Sequence, residues 1–165
     1  MTALPQIDLK LFEILETVSD PEIPVLSIVE MGVVRSAELI NGIVEVAITP
    51  TYSGCPAMSM IETEIKATLS EMGIPSKVKL ILSPAWTTDW MSEKGKQKLK
   101  AYGIAPPEKE DIDINALFGK THAVECPQCN SKNTVLISQF GSTACKALHK
   151  CKDCLEPFDY FKCLR

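Results

Sequence analysis

Cysteine is the residue type in this chain whose spacing most plainly implies chemistry. The chain has 165 residues and seven cysteines. Cys126-Pro-Gln-Cys129 and Cys151-Lys-Asp-Cys154 are two Cys-x-x-Cys pairs with 21 residues between them. A two-residue gap lets two sulfurs meet one ion at tetrahedral angles, and a second pair completes the shell. This spacing predicts a four-thiolate ribbon in which Cys126, Cys129, Cys151 and Cys154 hold a structural metal. With four protein ligands the ion has no open position for catalysis. Zinc and iron both suit four thiolates. Cys145 and Cys163 keep an iron–sulfur cluster open, as additional ligands or as a redox pair. Their plainer role is buried apolar filler. His149, two residues before Cys151, is either a substitute ligand or a ring packed on the ribbon.

Cys55 stands apart from these six. It lies in Thr49-Pro-Thr-Tyr-Ser-Gly-Cys-Pro-Ala-Met58, where a strand-like run gives way to a helix-like run. Pro56 favours the first turn of a helix. Cys55 is therefore expected beside the helix N-cap, where free N–H groups and the dipole lower a thiol pKa. The ordinary alternative is a small buried residue. No base for a cysteine nucleophile is evident near it in sequence. The acids of Asp20-Pro-Glu22 belong to a proline-rich stretch, Asp20–Leu26, read as an ordered turn.

The elements that position these residues follow from periodicity. Leu11, Ile14, Leu15 and Val18 share one helical face over 8–18. Residues 31–40 and 43–49 read as strands, and Asn41-Gly42 between them suits a two-residue hairpin turn. After Cys55, Met58, Ile61, Ile65, Leu69 and Met72 form one stripe, and Gly73 stops the helix. Residues 77–82 alternate as a third strand. Thr87 or Thr88 is expected to cap a lysine-rich helix ending near Gly103. The fold class is α+β: a small α/β domain of order α-β-β-α-β-α, then a β-rich zinc-ribbon module. The expected domains are 1–103, a linker over 104–121 with a short packed turn at 114–118, and a ribbon over 122–165. The last segment is too short for a core of its own, so metal would supply folding free energy.

Composition narrows the function. The formal net charge is −4, which argues against a general nucleic-acid binder. Nothing resembles a signal peptide, and no stretch is long and apolar enough to span a bilayer. A cytoplasmic location follows, with thiols free for metal. Paired Glu-x-x-His motifs and a Gly-rich dinucleotide fingerprint are both absent, so neither a di-iron site nor a dinucleotide site is expected here.

The stretches DPEIPVLSIVEMGVVR and TPTYSGCPAM resemble the MIP18 (DUF59) family, whose members take part in iron–sulfur cluster assembly. Together with SPAWTTDWM, GIAPP and FGSTACKALHKCKDCLEPFDYFKC, the chain is similar to the family of D subunits of bacterial phenylacetyl-CoA epoxygenases. That resemblance implies an accessory role in aerobic phenylacetate catabolism rather than the catalytic oxygenase. Its partners would be the oxygenase and the iron–sulfur flavin reductase, and a homodimer is left open. It also implies that Cys55 is a transient iron or cluster ligand, supported by Asp20, Glu22 and Thr51. The alternative is a structural adaptor subunit in which Cys55 only packs.

Overall fold

A computed structural model describes residues 9–108 and 123–162. Its contacts divide the chain into two compact units between Gly95 and Lys96. In the first unit, helix α1 (Leu9–Glu16) buries Leu11 and Leu15. Strand β1 (Val34–Ile40) pairs antiparallel with β2 (Ile43–Ile48), from Val34 opposite Ile48 to Ile40 opposite Ile43, with a bulge between Val34 and Ser36. The hairpin turn between them has Asn41 at φ 50° and Gly42 at φ 81°. Two positive φ values in a row are the geometry that Asn-Gly favours. Strand β3 (Ser76–Leu80) then lies parallel to β2, with Val46 opposite Val78. A parallel neighbour requires a crossover, and helix α2 (Ala57–Glu71) supplies it.

Helix α2 buries Ala57, Ile61, Ile65 and Leu69, a run of every fourth residue. Met72, expected on this stripe, is the C-cap at φ −90° and ψ 3°, and it is exposed. Once off the helical path it no longer shares that face. The end is a Schellman motif: Ile74 N–H donates to the Leu69 carbonyl at 2.9 Å and Gly73 N–H to that of Ser70 at 2.9 Å. Gly73 takes the left-handed conformation this motif needs, φ 71°.

The expectation at Thr87 and Thr88 needs correcting. Thr87 precedes only a 3-10 turn, Thr88–Trp90, and makes no side-chain cap bond. Helix α3 (Glu93–Tyr102) starts later, and Ser92 Oγ accepts the N–H of Gly95 at 3.0 Å. Two indoles and a guanidinium explain the difference. Trp86 is buried with its Nε1 donating to the Met31 carbonyl at 3.0 Å, and Arg35 lies 3.4 Å from the Trp90 ring centroid. These anchors hold the intervening residues in a turn.

The second unit is built on a four-stranded sheet of order β4-β7-β6-β5. Its strands are β4 (Ile104–Ala105), β5 (Thr134–Ser138), β6 (Lys146–Cys151) and β7 (Pro157–Phe161). Strands β5, β6 and β7 run antiparallel, and β4 adds parallel to β7, Ile104 opposite Asp159. Ile104 and Ala105 were expected in the linker, yet they are a strand of this sheet. Residues 109–122 of that linker, with the expected turn at 114–118, lie outside the described residues. Ala105, Val124, Cys126, Cys151 and Phe158 form the buried core, with Cys154 and Tyr160 packed against it. Among the described residues no helix is long and apolar enough to cross a membrane.

Candidate metal centre and the Cys55 loop

The ribbon cysteines converge. The four sulfurs of Cys126, Cys129, Cys151 and Cys154 all lie within 4.8 Å of one another. Cys126 and Cys154 are 3.7 Å apart, and Cys129 and Cys151 3.5 Å. A tetrahedral ion with bonds of about 2.3 Å to sulfur separates its ligands by about 3.8 Å. The donor set therefore fits one ion. It is too tight for a multi-iron cluster, whose thiolates sit on different irons.

Two similar turns build this site. Cys126 N–H donates to the Ser131 carbonyl and Asn130 N–H to that of Cys126, both at 2.9 Å. Cys151 N–H donates to the Glu156 carbonyl at 3.0 Å. The residue after each pair, Asn130 or Leu155, has positive φ, 61° and 67°. Asparagine tolerates that region, whereas leucine is strained there by about 1–2 kcal/mol. Such strain persists where the surroundings over-determine it. The turned backbone aims N–H groups at sulfur. Those of Cys154 and Asp153 hold the Cys151 thiol down to about 7. The Glu156 N–H favours the Cys154 thiolate too, but burial and the three facing sulfurs push that thiol up to about 12. Four thiolates cannot share this space without a cation to neutralise them.

Two side chains near the site stand outside the convergent group. His149 is buried, 5.8 Å from the Phe158 ring centroid and 5.6 Å from that of Tyr160. Burial pushes its pKa down, so it packs as a neutral ring outside the converging group. Cys145 is also buried and outside that group, its sulfur 3.0 Å from Thr143 Oγ1. Cys163 lies outside the described residues.

Cys55 occupies the loop between β2 and α2. That places it at the carboxyl end of a strand in a parallel β-α-β unit, where open α/β sheets bind ligands. Pro56 is the N-cap of α2 at φ −69°, and Cys55 N–H donates to the Tyr52 carbonyl at 3.2 Å. The thiol is half-buried and receives a hydrogen bond from the Ala57 N–H and another from Tyr52. The helix N-terminus thus reaches the sulfur as expected, but the expected fall in pKa does not follow. Burial, then the charges of Glu22 and Asp20, raise the thiol pKa above its ordinary value. Cys55 is a protonated thiol at neutral pH and a weak nucleophile.

Asp20 is buried, and its Oδ1 accepts the N–H groups of Glu22 at 2.7 Å and Ile23 at 2.9 Å. The turn expected from Asp-Pro is therefore an Asx turn. Thr51 is buried in the Cys55 loop. Asp20, Glu22 and Cys55 do not form a second convergent ligand group among the described residues. Sequence reasoning missed Tyr52, for which only its adjacency is a signal. It also missed Ser27 and Glu30. Glu30 Oε2 accepts the Ser27 N–H at 3.1 Å, and Ser27 Oγ accepts the Glu30 N–H at 3.0 Å. Ser-x-x-Glu is the signature of this reciprocal box.

Comparison with known proteins identifies both units. Residues 110–162 match the family described as the PaaD zinc beta ribbon domain, and residues 10–80 match that described as iron-sulfur cluster assembly protein. A protein of Escherichia coli (strain K12), named as the D subunit of 1,2-phenylacetyl-CoA epoxidase, is 44% identical over 98% of this chain and 96% of its own. The chain belongs to the D-subunit family of phenylacetyl-CoA epoxidases. An Fe-S protein maturation auxiliary factor of Porphyromonas gingivalis is 33% identical over 52% of this chain and 83% of its own. A crystal structure of a DUF59 domain from Bacillus anthracis superposes with a TM-score of 0.51 at 31% identity, covering 55% of this chain and 88% of that one. The D-subunit family therefore joins two parts: a domain shared with maturation factors and a ribbon that lies outside that match.

Proposed function

We propose that this chain is a non-catalytic accessory subunit of a phenylacetyl-CoA epoxidase that acts in the cytoplasm. It carries iron, as an ion or an iron–sulfur cluster, to the oxygenase or reductase partner through Cys55. The observation that carries this reading is the place of Cys55, half-buried beside the N-cap of α2 with Asp20 and Glu22 acting on its sulfur, in a domain shared with Fe-S maturation factors. Burial and the carboxylates of Glu22 and Asp20 disfavour a bare thiolate there. A metal cation reverses that balance, because it displaces the thiol proton and is itself favoured by the same two carboxylates. With no converging ligand group at it among the described residues, Cys55 is suited to a shared, temporary bond rather than to storage. The ribbon binds zinc and is structural.

The test replaces Cys55 with serine and co-expresses the variant with the epoxidase partners. The variant should fold and hold its ribbon metal, while the purified partners lose metal content and ring-epoxidising activity. Partners that mature fully beside Cys55→Ser would exclude the carrier role and favour the adaptor reading. Half-burial of Cys55 already favours the carrier, since a purely packing cysteine is normally enclosed.

A further inference from the structure

The two turns that hold the ribbon ion are also tied to each other outside the sulfur shell. Asp153 lies between Cys151 and Cys154. Its Oδ2 accepts from Ser131 Oγ, and its Oδ1 accepts from Asn133 Nδ2 at 2.8 Å. Ser131 and Asn133 lie two and four residues after Cys129. They are organised in turn: Ser131 Oγ accepts the Asn133 N–H at 3.0 Å, and the Asn133 carbonyl accepts the Lys152 N–H at 2.8 Å. Both carboxylate oxygens of an exposed aspartate are thus committed across the two halves of the site.

We propose that Asp153, Ser131 and Asn133 form a clasp that sets how slowly the ribbon releases its ion. This rests on the reading that the four thiolates hold a structural metal. A carboxylate beside four thiolates is electrostatically unfavourable, so its place there implies positional work. An ion leaves such a shell by losing thiolates one at a time, and Cys129 is the exposed ligand where a chelator enters. With the clasp closed, a detached thiolate stays at high effective concentration and rebinds. With the clasp open, the two halves separate and the ion escapes. Losing an outer-shell partner of a metal site typically costs about 10–100-fold in metal affinity, and here that loss would be read in the release rate.

The experiment uses the full chain loaded with zinc and follows release to a chromophoric chelator. Asp153→Ala should release zinc at least about tenfold faster than wild type. A Ser131→Ala/Asn133→Ala variant should do the same, and combining all three changes should add little more. Asp153→Asn, whose amide oxygen still accepts from Asn133 while its NH2 donates to the Ser131 hydroxyl oxygen, should recover part of the slow rate. Cobalt-loaded samples should keep the absorption of four tetrahedral thiolates in every variant, showing that the ligand set is unchanged. Wild-type release from Asp153→Ala would overturn the clasp. So would a fast Asp153→Ala beside a slow Ser131→Ala/Asn133→Ala, since charge alone would then be the cause. A wild-type chain that takes up neither zinc nor cobalt would remove the metal reading itself.

Discussion

The Cys55 thiol offers the sharpest test, because two forces on it have opposite signs. The Ala57 N–H at the start of α2 and the Tyr52 hydroxyl favour the thiolate, while burial, Glu22 and Asp20 oppose it. The structure gives the second group the larger effect, so the folded pKa lies above the ordinary value of about 8.5. At pH 7 the thiol is then mainly protonated, and its thiolate fraction rises as pH rises. The assay is alkylation by iodoacetamide in zinc-loaded protein, where ligation protects the four ribbon thiols, with modification at Cys55 itself read by mass spectrometry of its peptide. Between pH 6 and pH 8 the rate should climb about a hundredfold without levelling. Glu22→Gln removes a charge that raises the pKa, so it should speed alkylation at pH 7. Metal binding at Cys55 should follow the same slope, strengthening as pH rises, because each ion bound displaces the thiol proton. A rate that levels off below pH 8 would refute the reasoning. The helix N-terminus would then dominate, and Cys55 would be a preformed nucleophile.

The remaining predictions concern the frame. Removing the ribbon ion with a chelator, or making Cys151→Ser, should unfold the second unit while the first retains its helical signal. Circular dichroism and metal analysis would show this, given the roughly 10–16 kcal/mol that structural zinc supplies. Glu30→Ala should cost the first unit about 1–3 kcal/mol in denaturant unfolding by orphaning the buried Ser27 N–H. Glu30→Gln should restore most of that, because the Lys94 ion pair at 3.3 Å engages a largely exposed ammonium and contributes little.

What the sequence made legible was local. Asn41-Gly42 encodes its hairpin because both residues accept positive φ. The Cys-x-x-Cys pairs encode their site because two sulfurs that close in sequence meet one ion in few ways. Gly73 marks its helix end for the same kind of reason. What stayed illegible was non-local. The two residues of β4 have no strand pattern of their own, and they become a strand only because Asp159 and Tyr160 arrive beside them. The N-cap of α3 moved to Ser92 because Arg35 and Trp86 hold the preceding residues. The Cys55 pKa was misjudged for the same cause. Its helix terminus is visible beside it in sequence, but Asp20 and Glu22 act on it only after folding.

That misjudgement bears on the proposed carrier role, under which the chain would have two kinds of thiol site. A site built to keep an ion needs a full shell, N–H groups aimed at sulfur, and short loops that fix the ligands. The ribbon has all three, and a filled shell cannot pass its ion on without breaking several bonds together. A site built to give an ion away needs the reverse. Cys55 is the only cysteine before residue 126, so this half of the chain cannot close a thiolate shell by itself. The acids near it attract a cation while still raising the thiol pKa, so protonation of the sulfur remains within reach and favours release. A receiving subunit that supplies further ligands would then draw the ion away without having to outbid a closed site. On this argument, adding a second cysteine beside Cys55 would strengthen binding and weaken delivery. Titration of metal content in chain and partner would separate those two effects.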